Sequence, residues 1–295
     1  MRRIGRHKRK KQKRLIIITS LSLLLFLCVG YAAFGTSLTL KAKGNIKSKK
    51  AADMLKEKVV DSGDGLYKDI YENGRYIYKG SNPDNYITFN NEMWRIISVE
   101  ADGTIKILKN NLLSNRAWDT TGGTYGLSNW ARPADLNTYL NGEYYNGFNS
   151  SIKDNIVSHT WGIGVSSFED NKEGKIDKLI EDEKGITWSG NVGLISLSDY
   201  LLANSDVANC ESLINFNVNY ETCRNTNWMY IDGSDWWMIT PGIDDRERVF
   251  YVSKVGDFHY LVAYYSDFAP RPAAYLRSDI TISGSGTVSD PFTIV

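Results

Sequence analysis

The chain has 295 residues, 42% hydrophobic and 12% aromatic, which is enough to fill the core of one large domain or two small ones. Its formal net charge is +1, but residues 1–14 contribute +9 and residues 36–60 contribute +5, so residues 61–295 carry −13. An acidic body repels phosphate backbones, and this argues against nucleic acid as a partner.

The N-terminus joins a basic head, residues 1–14, to an uncharged apolar stretch, residues 15–35. As a helix, this stretch would span roughly 30 Å, the thickness of a hydrocarbon core. We therefore expect a cytoplasmic head, a helix in contact with membrane lipid, and the remainder of the chain outside the cell. Small residues such as Gly30 and Ala33 would also suit a cleaved secretory signal, but the length of the stretch favours a retained single-pass anchor.

Residues 36–60 predict a short stalk, rich in Lys and small residues, with a helical turn at 51–55. From residue 61 onward, short apolar runs alternate with Gly, Asn and Asp, which is typical of a β-rich domain. No repeat or Pro/Ser-rich linker divides residues 61–295. We therefore expect a single extracellular domain there.

Two groups of strands are predicted in this domain. Residues 86–89, 93–99 and 104–108 indicate a meander that contains one hairpin. Residues 248–255 and 258–262 flank a Gly-Asp turn and indicate a second hairpin.

The predicted helices are few and short. Pro133 suits a first helical position, and Gly142 is expected to end that helix. Ser150 and Ser198 are expected to cap two further helices. Residues 161–188 are polar and predict a surface excursion with some helix. Together the elements predict an α+β domain of mainly antiparallel short strands.

The cysteines favour a disulfide. Cys28 lies in the apolar stretch, which leaves Cys210 and Cys223 in the part of the chain expected outside the cell. Two cysteines in an oxidising compartment tend to join. A metal or redox pair is the alternative, but a structural zinc site needs four ligands and no His lies near either residue in sequence.

Several segments of residues 61–295 occur together in one order: Asp64–Tyr67, Tyr86–Ser98, Asn115–Trp118, Leu136–Tyr145, Asp235–Pro241 and Arg271–Leu276. In this order they resemble a family of uncharacterised surface proteins of Gram-positive bacteria. The resemblance implies an extracellular domain of unknown function, with a fold similar to the C-type lectin and formylglycine-generating-enzyme superfamily. Where such modules commonly carry Val-Arg-Pro, this chain has Pro270-Arg271-Pro272.

A loop face is the predicted binding surface. Exposed aromatic rings can stack on the flat faces of sugars, and the segment after the second hairpin supplies three of them, with charged residues from the hairpin and the loop before it; a solvated turn is the alternative. The adjacent Trp236 and Trp237 are instead expected in the core, because large aromatic side chains are usually buried. The predicted ligand-binding residues are Asp244, Asp245, Arg246, Arg248, Tyr264, Tyr265 and Phe268.

No catalytic residue, metal ligand or cofactor is predicted. His159 and His259 are the histidines of residues 61–295, and neither has a Ser or Cys nucleophile setting around it. Residues 232–235 resemble a calcium loop only superficially, because the alternating oxygen ligands are incomplete. Arg95 and Arg271 are expected to pair with carboxylates in the core or to stack on aromatic rings.

The first functional hypothesis is a recognition module, membrane-tethered or secreted, that binds a carbohydrate or surface glycoconjugate. The second is a structural subunit of the cell envelope or of a pilus-like assembly, whose partner would be an envelope protein. The third is a divergent hydrolase, or an oxidase of the formylglycine-generating type, which would need Cys210 and Cys223 as free thiols.

Overall fold

The computed structural model describes residues 49–120, 130–166, 173–242 and 247–295, which lie in one unit, Ser48–Val295. The predicted basic head (1–14), the apolar helix (15–35) and most of the predicted stalk (36–60) lie outside these residues. Within the described ranges, no helix combines the length and the apolar character needed to cross a membrane.

Short strands supply most of the regular structure in the described residues. They are β1 (Gly65–Lys68), β2 (Tyr76–Lys79), β3 (Tyr86–Phe89), β4 (Glu92–Val99), β5 (Ile105–Lys109), β6 (His159–Gly162), β7 (Thr187–Gly190), β8 (Val192–Gly193), β9 (Trp236–Pro241), β10 (Arg248–Val252), β11 (Phe258–Val262), β12 (Ala269–Pro270), β13 (Ala273–Leu276), β14 (Ile282–Ser283) and β15 (Phe292–Ile294).

The helices are short, and they lie between groups of strands along the chain. They are α1 (Ala51–Lys56), α2 (Asp135–Tyr139), α3 (Ser150–Lys153), α4 (Ile176–Lys184), α5 (Leu197–Leu202), α6 (Val207–Cys210), α7 (Leu213–Val218) and α8 (Tyr220–Asn225), with a π-helical turn, Leu140–Tyr144, after α2. Helices and mostly antiparallel strands confirm the predicted α+β class.

The strands form three sheets within the described residues. The largest has the order β14-β15-β3-β4-β5-β13-β8, with β2 pairing the far end of β4 and β1 pairing β2. A four-stranded sheet has the order β11-β10-β9-β12, and β6 pairs β7. Among these pairs, β12 with β9 and β15 with β3 are parallel, and the others are antiparallel. The predicted meander and the predicted second hairpin are both confirmed.

Both faces of the large sheet are buried. Successive side chains of a strand point to opposite faces, and on β5 Ile107 enters one hydrophobic core while Leu108 enters the other. On the neighbouring β13, Ala274 lies in the smaller core and Tyr275 in the larger one. Tyr275 and Lys106 are register partners on the face that carries the larger core. This face positions the cavity described below.

Helix α1 belongs to the folded unit, although it falls within the predicted stalk. Ala51, Ala52 and Leu55 are buried in the smaller core, and the Ala51 amide donates to the Ile280 carbonyl at 2.8 Å. The predicted helical turn at 51–55 is therefore present, but the domain begins before residue 61.

Four predicted helix ends differ from the structure. Helix α2 begins two residues after Pro133, and the chain continues as a π-helical turn past Gly142. The Asn141 side chain holds this turn against β8, since it donates to the Val192 carbonyl and accepts from the Val192 amide. Helix α5 is capped by Ser196 in a capping box, not by Ser198. Helix α3 begins at Ser150, but Asn149 occupies its cap position.

The predicted disulfide between Cys210 and Cys223 is present, with a sequence separation of 13 residues. Both cysteines are buried, and the bond ties α6 to α8. Neither residue therefore offers the free thiol that the oxidase hypothesis requires.

We expect the double variant Cys210→Ser with Cys223→Ser to lose roughly 3 kcal/mol of unfolding free energy, because a short loop is no longer closed in the unfolded chain. Urea unfolding of the full-length protein in detergent measures the loss, with Cys28→Ser as the control. A reductant should lower the stability of the wild type and leave the double variant unchanged; equal sensitivity of both proteins would contradict the bond.

Candidate functional site

A polar cavity of ≈ 240 Å³ lies on the larger-core face of the main sheet. We call it the Asp199 cavity, after the carboxylate at its centre. The main sheet contributes Lys106 from β5 and Tyr275 from β13, strand β6 contributes His159, and helices α4 and α5 contribute Glu183 and Asp199. Five chain segments that are distant in sequence therefore converge on one site.

Asp199 neutralises two buried cations. Its carboxylate lies 2.5 Å from Lys106 Nζ and 3.1 Å from Arg75 Nη2. Arg75 also contacts Glu72 at 3.1 Å and Glu100 at 3.4 Å. Burial alone would raise the pKa of Asp199, but Lys106 and Arg75 outweigh it and hold this pKa below its usual value. The cluster is therefore charged and internally paired.

Glu183 lies beside this cluster and is 3% exposed. Its carboxylate accepts hydrogen bonds from the Ser198 amide at 3.1 Å, from the Ser198 hydroxyl, and from Thr240 Oγ1 at 2.9 Å. Burial raises the pKa of Glu183, and the negative charge of Asp199 raises it further, although the hydrogen bonds act in the opposite direction. Glu183 therefore gains a proton at a higher pH than an exposed glutamate does.

Glu183 was missed by the sequence prediction, which placed residues 161–188 on the surface. The signal was present, because Ile176, Leu179, Ile180 and Glu183 follow the helical spacing and form the buried face of α4. Trp161 is also buried, and it borders the cavity. The surface prediction is wrong for these parts of the segment.

We expect Glu183→Gln to remove a pH dependence of stability. Because the folded-state pKa of Glu183 is raised, its contribution is fully present below the unfolded value and is lost as the pH rises through the folded value. The unfolding free energy of the wild type, relative to that of the variant, should therefore fall as the pH rises from about 4, near the pKa of an exposed glutamate, through the raised folded-state pKa.

Urea unfolding at several pH values measures this difference. Glu181→Gln is the matched control, because Glu181 lies on the same helix with its side chain 77% exposed. A difference between wild type and Glu183→Gln that does not change with pH would contradict the raised pKa.

Aromatic rings form one wall of the cavity. The His159 ring stacks on Tyr275 with centroids 3.8 Å apart and an interplanar angle of 12°. The Trp161 ring meets Tyr275 edge-on at 4.8 Å. Lys106 Nζ lies 5.3 Å from the Trp161 centroid. His159 Nε2 lies 3.5 Å from Asp102 on the outer side.

The cavity opens near Lys184 and Glu72, which form an ion pair of 2.8 Å. Their side chains are 54% and 25% exposed, so they are the accessible charged groups of the rim. Behind this rim the walls carry acceptors, donors and aromatic surface close together. Such a lining can bind several hydroxyl groups of one small ligand.

The predicted loop face lies elsewhere on the molecule. Asp244, Asp245 and Arg246 lie outside the described residues. Arg248 is half-buried on β10, with its guanidinium 5.6 Å from the Tyr260 centroid. None of the predicted residues that the structure describes lines the Asp199 cavity.

Tyr264 and Tyr265 are 53% and 39% exposed, as predicted. Phe268 is buried, and its predicted exposure is wrong. The reason is long-range packing, since its ring lies 4.9 Å from Trp237 and 4.4 Å from Tyr251. The loop face therefore consists of a tyrosine pair rather than three exposed rings.

Trp236 and Trp237 are both fully buried, as expected. In the described part of the chain, no group of three or more His, Cys, Asp or Glu side chains is arranged to hold a metal ion.

The comparisons with known proteins identify the family. No curated protein and no solved structure matches the chain. Residues 102–278, more than half of the chain, match a family model described as Domain of unknown function (DUF6273). The matched range includes Lys106, Glu183 and Asp199 but not Arg75, so it covers most of the cavity and not all of it. The chain belongs to the DUF6273 family.

Proposed function

We propose that the protein is an extracellular recognition module that binds a carbohydrate or a surface glycoconjugate in the Asp199 cavity. In this proposal, residues 15–35 hold the module at the cell membrane, or the module is secreted if they are cleaved. The apolar stretch and the basic head support the location, and the resemblance of residues 61–295 supports a C-type-lectin-like fold.

The charged groups of the cavity pair with one another, and this observation supports a neutral ligand such as a sugar. Lys106 and Arg75 are already neutralised by acids of the cavity wall, so a strongly charged ligand would have to disrupt existing ion pairs. Neutral hydroxyl groups need no such exchange, because they donate to the remaining carboxylate lone pairs and accept from the cations at the rim. The wall formed by His159 and Trp161 offers aromatic surface to an apolar sugar face.

The tyrosine pair is a second surface to which a glycan could bind. Tyr264 and Tyr265 are adjacent and exposed, and Tyr265 packs edge-on against Phe268 at 5.1 Å. No cavity described above borders these residues, however, and an enclosed site gives more contacts for each sugar ring than an open one does. The Asp199 cavity is therefore our first choice.

Glycan-array binding by the full-length protein in detergent tests the proposal. We expect His159→Ala to weaken binding by about tenfold or more, because it removes one aromatic wall of the cavity. His259→Ala is the matched control, since His259 lies on β11 with its side chain 54% exposed and does not line the cavity. The double variant Tyr264→Ala with Tyr265→Ala should retain binding.

Three outcomes would contradict the proposal that a glycan binds in the Asp199 cavity. Loss of binding in the tyrosine double variant alone would place the ligand on the loop face. Equal loss in the two histidine variants would contradict binding in the cavity. Concentration-dependent polymerisation without glycan binding would favour a structural subunit of the envelope or of a pilus-like assembly.

A further inference from the structure

A second cavity, of ≈ 460 Å³, lies beside the end of β5 and the segment that leads into β9. Two arginines, Arg95 and Arg271, contribute to its wall, together with Trp228, Tyr230 and Ser234. We call it the two-arginine cavity. It shares no lining residue with the Asp199 cavity.

Arg271 is 1% exposed, and it is held by backbone carbonyls. Nε donates to Lys109 at 2.9 Å, Nη1 to Met229 at 2.6 Å and Nη2 to Asn110 at 3.3 Å. The guanidinium also lies 5.3 Å from the Trp236 centroid. A guanidinium has five N–H groups, so two of them are left for a ligand.

Arg95 is 5% exposed and lies between the rings of Tyr86 and Trp228, at 4.0 and 4.8 Å from their centroids. Nε donates to Asn85 at 2.6 Å, and Nη2 donates to the Pro83 carbonyl at 3.0 Å. Nη1 donates to no group in the described residues. Both arginines are thus fixed in place, and both keep donors available.

Neither arginine forms an ion pair in the part of the chain that the structure describes. Of the two predicted alternatives, pairing with carboxylates or stacking on aromatic rings, the structure shows the stacking. Arg75 and Lys106, the buried cations of the other cavity, do have carboxylate partners. Burial lowers the pKa of Arg95 to about 10 and that of Arg271 to about 9, and the charge of Arg95 adds to the shift of Arg271. Two buried arginines therefore adjoin an open cavity, and neither has a carboxylate within ion-pair distance in the described residues. Asp64 and Asp84 act on Arg95 only from further away.

We propose that the two-arginine cavity binds an oxyanion, a carboxylate, phosphate or sulfate group, through Arg95 and Arg271. Planar guanidinium groups match the geometry of such groups and bind them through paired hydrogen bonds. Trp228 and Tyr230 give the cavity aromatic walls, which strengthen the attraction by limiting water. The oxyanion supplies the direct ion-pair partner that the described residues do not provide. This site is independent of the proposed sugar-binding cavity.

Thermal unfolding of the full-length protein in detergent tests the proposal with inorganic phosphate, sulfate and acetate. Chloride at equal pH and ionic strength is the reference. We expect the oxyanions to raise Tm in a saturable manner, because they bind the folded state. A stronger effect of acetate would indicate a carboxylate-bearing ligand, and a stronger effect of phosphate or sulfate would indicate an ester of that acid.

The variant Ser234→Asp tests whether the oxyanions raise Tm by binding in the two-arginine cavity, and it keeps both arginines. The new carboxylate should occupy the cavity, raise Tm in chloride and weaken oxyanion binding by about tenfold or more. Ser114→Asp is the matched control, because Ser114 is exposed and does not line the cavity. Arg95→Gln should abolish the oxyanion effect if it folds.

The proposal is overturned if chloride gives the same rise in Tm, or if the two Ser→Asp variants respond alike to the oxyanions. Retention of the oxyanion effect by folded Arg95→Gln would also overturn it.

Discussion

Asp199→Asn is expected to lower the free energy of unfolding by about 3–5 kcal/mol, the cost of removing one partner from a buried ion pair. Asp199 is 2% exposed, and its carboxylate contacts both Lys106 and Arg75, which are buried as well. Asparagine keeps the size of the side chain but removes the charge, so Lys106 and Arg75 each lose a neutralising group. Urea unfolding of the full-length protein measures the loss.

Asp279→Asn is the matched control. Asp279 pairs with Arg277 at 2.6 Å, but both side chains are about half exposed, so we expect a much smaller loss of unfolding free energy than for Asp199→Asn. If the two variants lost the same amount, burial of the Asp199 cluster would not determine its contribution to stability.

Trp236→Ala is expected to cost about 3–5 kcal/mol of unfolding free energy, as large-to-small substitutions in cores usually do. Trp236 has no exposed surface and lies on β9 in the larger core. Its ring contacts Tyr200 edge-on at 5.9 Å and lies against Arg271. The variant would leave a cavity at the centre of this cluster, and urea unfolding measures the effect.

Trp236→Phe separates packing from hydrogen bonding. The indole N–H of Trp236 is buried and has no hydrogen-bond partner in the described residues, so phenylalanine removes an unsatisfied donor while keeping an aromatic ring. We expect a clearly smaller loss than for alanine. Equal losses would show that the ring of phenylalanine cannot fill the site.

Local patterns were sufficient for much of the sheet. The strands at 86–89, 93–99 and 104–108 are fixed by neighbouring residues and short turns, and the structure confirms them. The Cys210–Cys223 pair followed from compartment and from the number of cysteines. The strands depend on interactions between residues close in sequence. The disulfide could be predicted because the cysteines allow few pairings.

The cavities depend on long-range contacts, which a single sequence does not reveal. Lys106 lies between Ile105 and Ile107 in a fully buried strand, and the pairing with Asp199 explains its burial. In the sequence, Glu183 belongs to a charged run that predicts a surface position. In the fold, Ser198 and Thr240 donate hydrogen bonds to it. Phe268 was predicted exposed for the same reason, since its partners Trp237 and Tyr251 come from another part of the chain.

The family match divides the main sheet between strands β4 and β5. Strand β5 begins at Ile105, just inside the matched residues 102–278, but its neighbour β4 lies wholly before them. A polypeptide trimmed to the matched residues would lack β4. The backbone N–H and C=O groups of β5 that pair with β4 would then be exposed, and such an edge strand favours self-association. The trimmed polypeptide would also lack Arg75, and with it half of the positive charge that faces Asp199. The matched residues therefore leave out one strand that pairs with β5 and one cation that pairs with Asp199.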